Sequence, residues 1–151
     1  MRYSRHLLMS DIGESGQQKL SQARVLIVGM GGLGCPVSLY LAAAGVGQIH
    51  LIDDDKVALS NLPRQLLFNP TDIESNKAHV AADKLQQRNR DSKISAHSIR
   101  LTSDNYQLLF NTISPQAIFD CSDNFATRQL INRIAVEQHL PLFSAAISAD
   151  Q

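Results

Sequence analysis

Apolar residues recur along this chain in two rhythms: short unbroken runs, and longer stretches in which they return every three or four positions. Residues 24–28 (Arg-Val-Leu-Ile-Val) form a run without polar alternation, which predicts a parallel strand covered on both faces. Similar runs predict strands at 48–53 and 116–121, and an alternating segment predicts another at 93–100. A last strand is expected at 142–146. Between them lie helical patterns. Residues 33–44 form a small-residue helix with Pro36 in its first turn and Gly45 as its C-cap. Residues 77–90 form an amphipathic helix with Ala78, Ala81, Ala82 and Leu85 on the inner face. Residues 105–113 form a helix capped by Ser103 or Asp104, and residues 126–139 a helix with Asp123 or Asn124 near its start. Residues 2–20 read as two short helical pieces hinged near Gly13 and Gly16. Residues 54–76 show little periodicity and read as a long loop with at most one short helix; loops of this length in compact domains are commonly functional.

Strands alternating with helices predict an α/β fold: a Rossmann-like, doubly wound, mainly parallel sheet preceded by an N-terminal helical segment. A single domain is expected over 1–151, with residues 1–22 as a helical arm within it. The strand at 142–146 would leave an open sheet edge. Open edges invite pairing, so self-association is expected, most simply as a homodimer.

Composition narrows the functional classes. At 44% apolar and 19% charged residues the chain should fold rather than remain disordered. Fourteen basic and fourteen acidic side chains cancel, so no global field draws nucleic acid or anionic lipid and any anion recognition must be local. No apolar run approaches membrane-span length, and the first residues lack the apolar core of a signal peptide. The two cysteines, Cys35 and Cys121, sit far apart in expected element cores and read as reduced, buried thiols of a cytoplasmic protein. No ligand spacing for zinc is present, and none is expected in this chain.

Candidate chemistry begins at Gly29, Gly31 and Gly34, which satisfy G-x-G-x-x-G between a strand and a helix; Gly32 lies among them. One glycine permits the tight turn, one the approach of a phosphate, one the packing of helix on strand. The helix N-terminus behind them offers unpaired N–H groups to an anion. Asp53 ends the second strand about twenty residues on, the spacing of a carboxylate that holds ribose hydroxyls; Asp54 and Asp55 face water or cap the following turn. Ser60-Asn61-Leu62-Pro63-Arg64-Gln65 follows. Asn61 and Gln65 offer amide hydrogen bonds, Arg64 a planar fork for phosphate oxygens, and Lys77 a point charge. Two cations on the loop side of a glycine turn favour handling of a triphosphate over hydride transfer. Asp123 and Asn124 follow the fourth expected strand, at its carboxyl end, where ligands of this fold bind. Asp123 there could hold Mg2+ against a triphosphate, or either residue could cap the next helix.

The chain resembles the ThiF/MoeB/HesA adenylyltransferases, relatives of the ubiquitin-activating enzymes. The resemblance rests on Arg2-Tyr3-Ser4-Arg5, Val28-Gly29-Met30-Gly31-Gly32-Leu33-Gly34, Ala44-Gly45-Val46-Gly47, the stretch from Asp53 to Gln65, Lys77, and the stretch from Asp120 to Gln129. It covers essentially the whole chain and looks most like the thiamine-pathway members. It implies ATP-dependent adenylation of the C-terminal Gly-Gly carboxylate of a small ubiquitin-like (ThiS-like) sulfur carrier in thiamine or molybdenum-cofactor biosynthesis. It implies that Gly32 approaches the phosphates and Asp53 the ribose. Ser60, Asn61, Arg64, Gln65 and Lys77 then surround the triphosphate, and Asp123 holds Mg2+ with Asn124 beside it. Arg5 reaches the nucleotide of a partner subunit. Arg64, Lys77 and Asp123 are the expected catalytic residues. Family members extend further at the C-terminus, so the chain reads as the ATP-binding half. Two other functions stay open: a non-catalytic nucleotide-binding or dimerisation module, and an NAD-dependent oxidoreductase domain on the same fold.

Overall fold

A computed structural model describes residues 2–147. Two helices form the arm, α1 (Ser4–Leu7) and α2 (Gly13–Gln22). Then β1 (Arg24–Val28), α3 (Gly34–Ala44), β2 (Gln48–Ile52), α4 (Lys77–Arg88), β3 (Lys93–His97), α5 (Tyr106–Ile113), β4 (Ala117–Asp120), α6 (Phe125–Glu137) and β5 (Leu142–Ser144) follow in turn. The five strands form one parallel sheet in the order β3-β2-β1-β4-β5. The order reverses between β1 and β4, which opens a crevice at the carboxyl ends of those strands.

The unbroken apolar run of β1 feeds both faces. Val25 and Ile27 join Ile49, Leu51, Ala42, Ala78, Ala81 and Leu85 on the side of α3 and α4. Leu26 and Val28 join Ile52, Ile118, Leu109, Phe110, Ile131 and Ile134 on the side of α5 and α6. The inner face expected for α4 is the buried one, with Lys77 buried beside it.

Boundaries differ where local hydrogen bonding overrides pattern. The arm breaks over residues 8–12, and Gly16 lies inside α2 rather than at a hinge. The strand expected to reach residue 100 ends at His97. Neither Ser103 nor Asp104 caps α5. The N-cap is Asn105, whose Oδ1 accepts from the Thr102 N–H at 2.9 Å, so the side chain braces the preceding turn instead of the helix. Asn124 caps α6, accepting from the Thr127 N–H at 2.8 Å. The 54–76 segment carries two short 3-10 turns, Leu59–Asn61 and Pro70–Asp72. It is closed by an antiparallel bridge between Lys56 and Asn76. The last expected strand is shorter than read, ending at Ser144, and β5 is an edge of the sheet.

Candidate active site

The glycine turn sits at the switch point, and its glycines divide into two kinds. A Cβ on Gly34 would fall 1.8 Å from the Gly29 carbonyl oxygen, and one on Gly29 (φ +93°) 2.7 Å from that of Cys121. The fold itself demands these two. A Cβ on Gly31 would meet only the Gln65 side chain at 3.7 Å, and one on Gly32 only Arg64 atoms at 3.7 Å and beyond. Those are ordinary contacts, so the fold leaves room at both positions, on the side that faces the crevice. The first α3 bond runs from the Cys35 N–H to the Gly31 carbonyl at 3.0 Å. The amides just ahead of it precede the intrahelical ladder and face positive at the helix end.

Asp53 braces this turn. Its Oδ2 accepts from the Met30 N–H at 2.7 Å and its Oδ1 from the Asp55 N–H at 2.8 Å. Each oxygen retains a further lone pair for a hydroxyl donor. Burial pushes its carboxyl above the usual carboxylate range, with the two amides and Lys77 opposing. The neighbouring acids are engaged by cations: Asp54 pairs with Arg100 at 3.3 Å and Asp55 with Lys77 at 3.1 Å. The three carboxylates cluster closely enough to share a metal ion, but each already has its partner.

The cleft in front of the turn has a volume of about 650 Å3, within the range of small-molecule sites. The turn contributes Gly29, Gly31 and Gly32; the strand end and loop contribute Asp53, Asn61, Arg64 and Gln65; Lys77 opens α4 beneath them, and Asp123 stands on the opposite lip. A smaller cavity of about 70 Å3 adjoins it, shared by Asp53, Arg100, Asp123, Asn124 and Thr127. The structure thus gathers most of the residues singled out above. Gly34 is buried behind the turn. Ser60 is exposed and offers its carbonyl to Arg64 Nη1 at 2.9 Å. Asn124 is committed to its cap. Arg5 lies elsewhere, on α1.

The two cations differ. Arg64 is exposed and lies over Gly32. Lys77 is not the free point charge expected: its side chain is only 8% exposed and its ammonium already bonds Asp55. One of its three donors is spent on that pair, leaving two. Among the described residues, Gln65 Oε1 is the one buried side-chain oxygen or nitrogen without a partner; Gln65 is 3% exposed and lines the cleft. Such an atom carries a desolvation penalty that a donor in the cleft would relieve.

Three residues carry more of the site than their sequence signals suggested. Asn76 caps α4 by accepting from the His79 N–H at 3.1 Å. It also donates to the Asp53 and Asp55 carbonyls at 3.0 and 3.1 Å, tying the acidic turn to the helix that bears Lys77. An Asn just before a helical run was the available signal. Asp120, 2% exposed, accepts from the Ser122 hydroxyl at 2.6 Å and the Ser144 hydroxyl at 3.1 Å. Arg128 reaches it at 3.5 Å and also donates to Ser144 Oγ and the Ser122 carbonyl, clamping α6 to the ends of β4 and β5 on the cleft wall. Their separation in sequence concealed that clamp. Cys35 and Cys121 are free and buried, and burial pushes both thiols up to about 11. Cys121 therefore stays protonated at neutral pH although it touches the cleft.

Among the described residues no helix is long and apolar enough to cross a membrane.

The ThiF family pattern matches residues 3–150, and the chain belongs to that family. It is 48% identical over 146 residues to the sulfur carrier protein ThiS adenylyltransferase of Escherichia coli K12, covering 97% of this chain and 57% of that protein. It is 46% identical over 145 residues to the adenylyltransferase and sulfurtransferase MOCS3 of Culex quinquefasciatus, covering 96% of this chain and 33% of that one. Among solved structures, the E. coli tRNA N6-threonylcarbamoyladenosine dehydratase TcdA in complex with ATP superposes with a TM-score of 0.85 at 26% identity. That match covers 92% of this chain and 57% of the other. The chain thus spans between one third and little more than half the length of these relatives.

Proposed function

Starting from membership of the ThiF family, we propose that this chain is the ATP-binding half of an adenylyltransferase acting on the Gly-Gly carboxylate of a ThiS-like sulfur carrier in the cytoplasm. The observation that carries this reading is the cleft itself: helix-end amides, an exposed guanidinium and a buried ammonium converge where Gly31 and Gly32 leave the backbone bare. The similarity to the ThiS adenylyltransferase and the ATP complex of TcdA support ATP as the ligand.

In this reading ATP lies with its phosphates across Gly31 and Gly32 and a ribose hydroxyl on Asp53. The carrier carboxylate attacks the α-phosphorus, a new O–P bond forms, and the bond to the β-phosphate oxygen breaks to release pyrophosphate. No side-chain nucleophile is needed. Arg64 and Lys77 offset the charge that develops on the phosphate oxygens, and Asn61 and Gln65 orient the chain of phosphates. Asp123 fits a Mg2+ ligand: it is an exposed hard oxygen donor on the cleft lip, and no ion pair among the described residues involves it. Mg2+ there would neutralise the departing pyrophosphate. Asn124 fixes the start of α6 and so the position of Asp123. The assembly is a homodimer in which Arg5 of one subunit serves the nucleotide of the other.

ATP–pyrophosphate exchange driven by a Gly-Gly-tailed carrier tests the reading. Carrier-dependent exchange supports it. ATP binding without exchange leaves a nucleotide-binding module, and preference for NAD over ATP overturns the assignment of the cleft.

A further inference from the structure

The arm is fastened at the end of α3 remote from the cleft. The Tyr3 ring occupies the place of a side chain at position 45: a Cβ on Gly45 would fall 2.6 Å from the ring. Asn89, with no exposed surface, donates to the Tyr3 hydroxyl at 2.8 Å and to the Ala42 carbonyl at 2.7 Å. Gln17 donates to the Ala44 carbonyl at 3.0 Å, and its Oε1 lies 2.8 Å from His6 Nδ1. Two sequence signatures that the cleft leaves unused, Arg2-Tyr3-Ser4-Arg5 and Ala44-Gly45-Val46-Gly47, therefore meet at one place, joined there by Gln17 of α2. A four-residue helix such as α1 cannot hold itself in water, so these contacts decide where it lies.

Arg5 sits between the two fastened residues, Tyr3 and His6, and is exposed. The eleven residues of α3 span about 16 Å, and Arg5 is not among the residues lining its own cleft. A fastened arm thus presents its guanidinium outward, next to the exposed apolar side chains Leu8 and Met9. A cation beside an apolar rim suits a protein surface with an anion in it, which a second copy with nucleotide in its cleft would supply.

We propose that Tyr3, Gln17 and Asn89 are positioning residues that hold the arm so that Arg5 is delivered to the cleft of a second copy. This rests on the reading of Arg5 given above. The test mixes full chains carrying Arg5→Cys with full chains carrying Ser60→Cys, an exposed position next to the cleft-lining Asn61, in the presence of ATP and a short bis-maleimide. The native cysteines are buried and stay silent. With the arm fastened, a cross-linked pair forms. Adding Tyr3→Ala to the first chain lowers its yield at least about tenfold, whereas Tyr3→Phe, which keeps the ring on Gly45, retains most of it. Tyr3→Phe also lowers hydrogen-exchange protection of the Leu7 amide by about fivefold, the effect of one ordinary hydrogen bond. Unchanged cross-linking in Tyr3→Ala, with the Leu7 amide deprotected, overturns the positioning role and leaves that of Arg5 standing. No cross-link with the arm intact overturns both.

Discussion

Helix α3 ends in glycine on both sides, and the two ends do opposite things. At its N-terminus the glycine turn faces open space. Gly31 and Gly32 have room for a Cβ, Arg64 is exposed, and Gln65 Oε1 lacks a partner. At its C-terminus Gly45 (φ +86°) has no room: the Tyr3 ring fills the space, and Asn89 and Gln17 bond the last carbonyls of the helix. Side chains of the arm and of the α4 C-cap bond carbonyls at one end, and a buried amide oxygen is left without a partner at the other. The bonded end contributes stability and placement. The open one retains binding energy for a ligand.

The sharpest attempt to break this contrast uses the turn's own structural glycine. Gly34→Ala puts a methyl inside the Gly29 carbonyl and should destabilise by more than about 4 kcal/mol, read as loss of soluble protein or a collapsed denaturant midpoint. Arg64→Ala should cut carrier-dependent exchange about a hundredfold, while its unfolding free energy stays within about 0.5 kcal/mol of the parent, as for an exposed side chain. Gly31→Ala should leave unfolding near the parent value yet weaken ATP binding about tenfold, by keeping phosphate off the backbone; a large loss of stability instead would mean that the open end is structural after all. Tyr3→Phe should destabilise by about 1 kcal/mol and leave ATP affinity alone, measured by denaturation and calorimetry.

The smallest effect probes a region belonging to neither end. His50 Nδ1 lies 3.0 Å from His97 Nε2 on the neighbouring strand. Burial first, then His97, Lys93 and Arg24, lower the His50 imidazole to about 4. Between pH 6.5 and about 4 the unfolded chain therefore binds a proton that the folded chain refuses, so stability falls as pH drops through that window. For a half-buried ring the loss is on the order of 1 kcal/mol or less. His50→Asn should flatten the slope of unfolding free energy against pH, and an unchanged slope would place the titration elsewhere.

What the residues dictate locally is the run of strands and helices, the glycine turn, the Gly45 cap and the buried face of α4. Those depend on periodicity and backbone freedom over a few neighbours, which the order of amino acids carries directly. The family motifs likewise named Arg64, Gln65, Lys77 and Asp123, which the fold gathers at one cleft. Tertiary structure alone decided how they are engaged. It took Lys77 into a pair with Asp55, set Asp53 to hold the glycine turn, and joined Tyr3 to Gly45 and Asn89. These contacts link segments brought together by the crossover order of a parallel sheet. A partner chosen by that order has no fixed spacing in the chain, so only the folded arrangement reveals which charges are free and which are already neutralised.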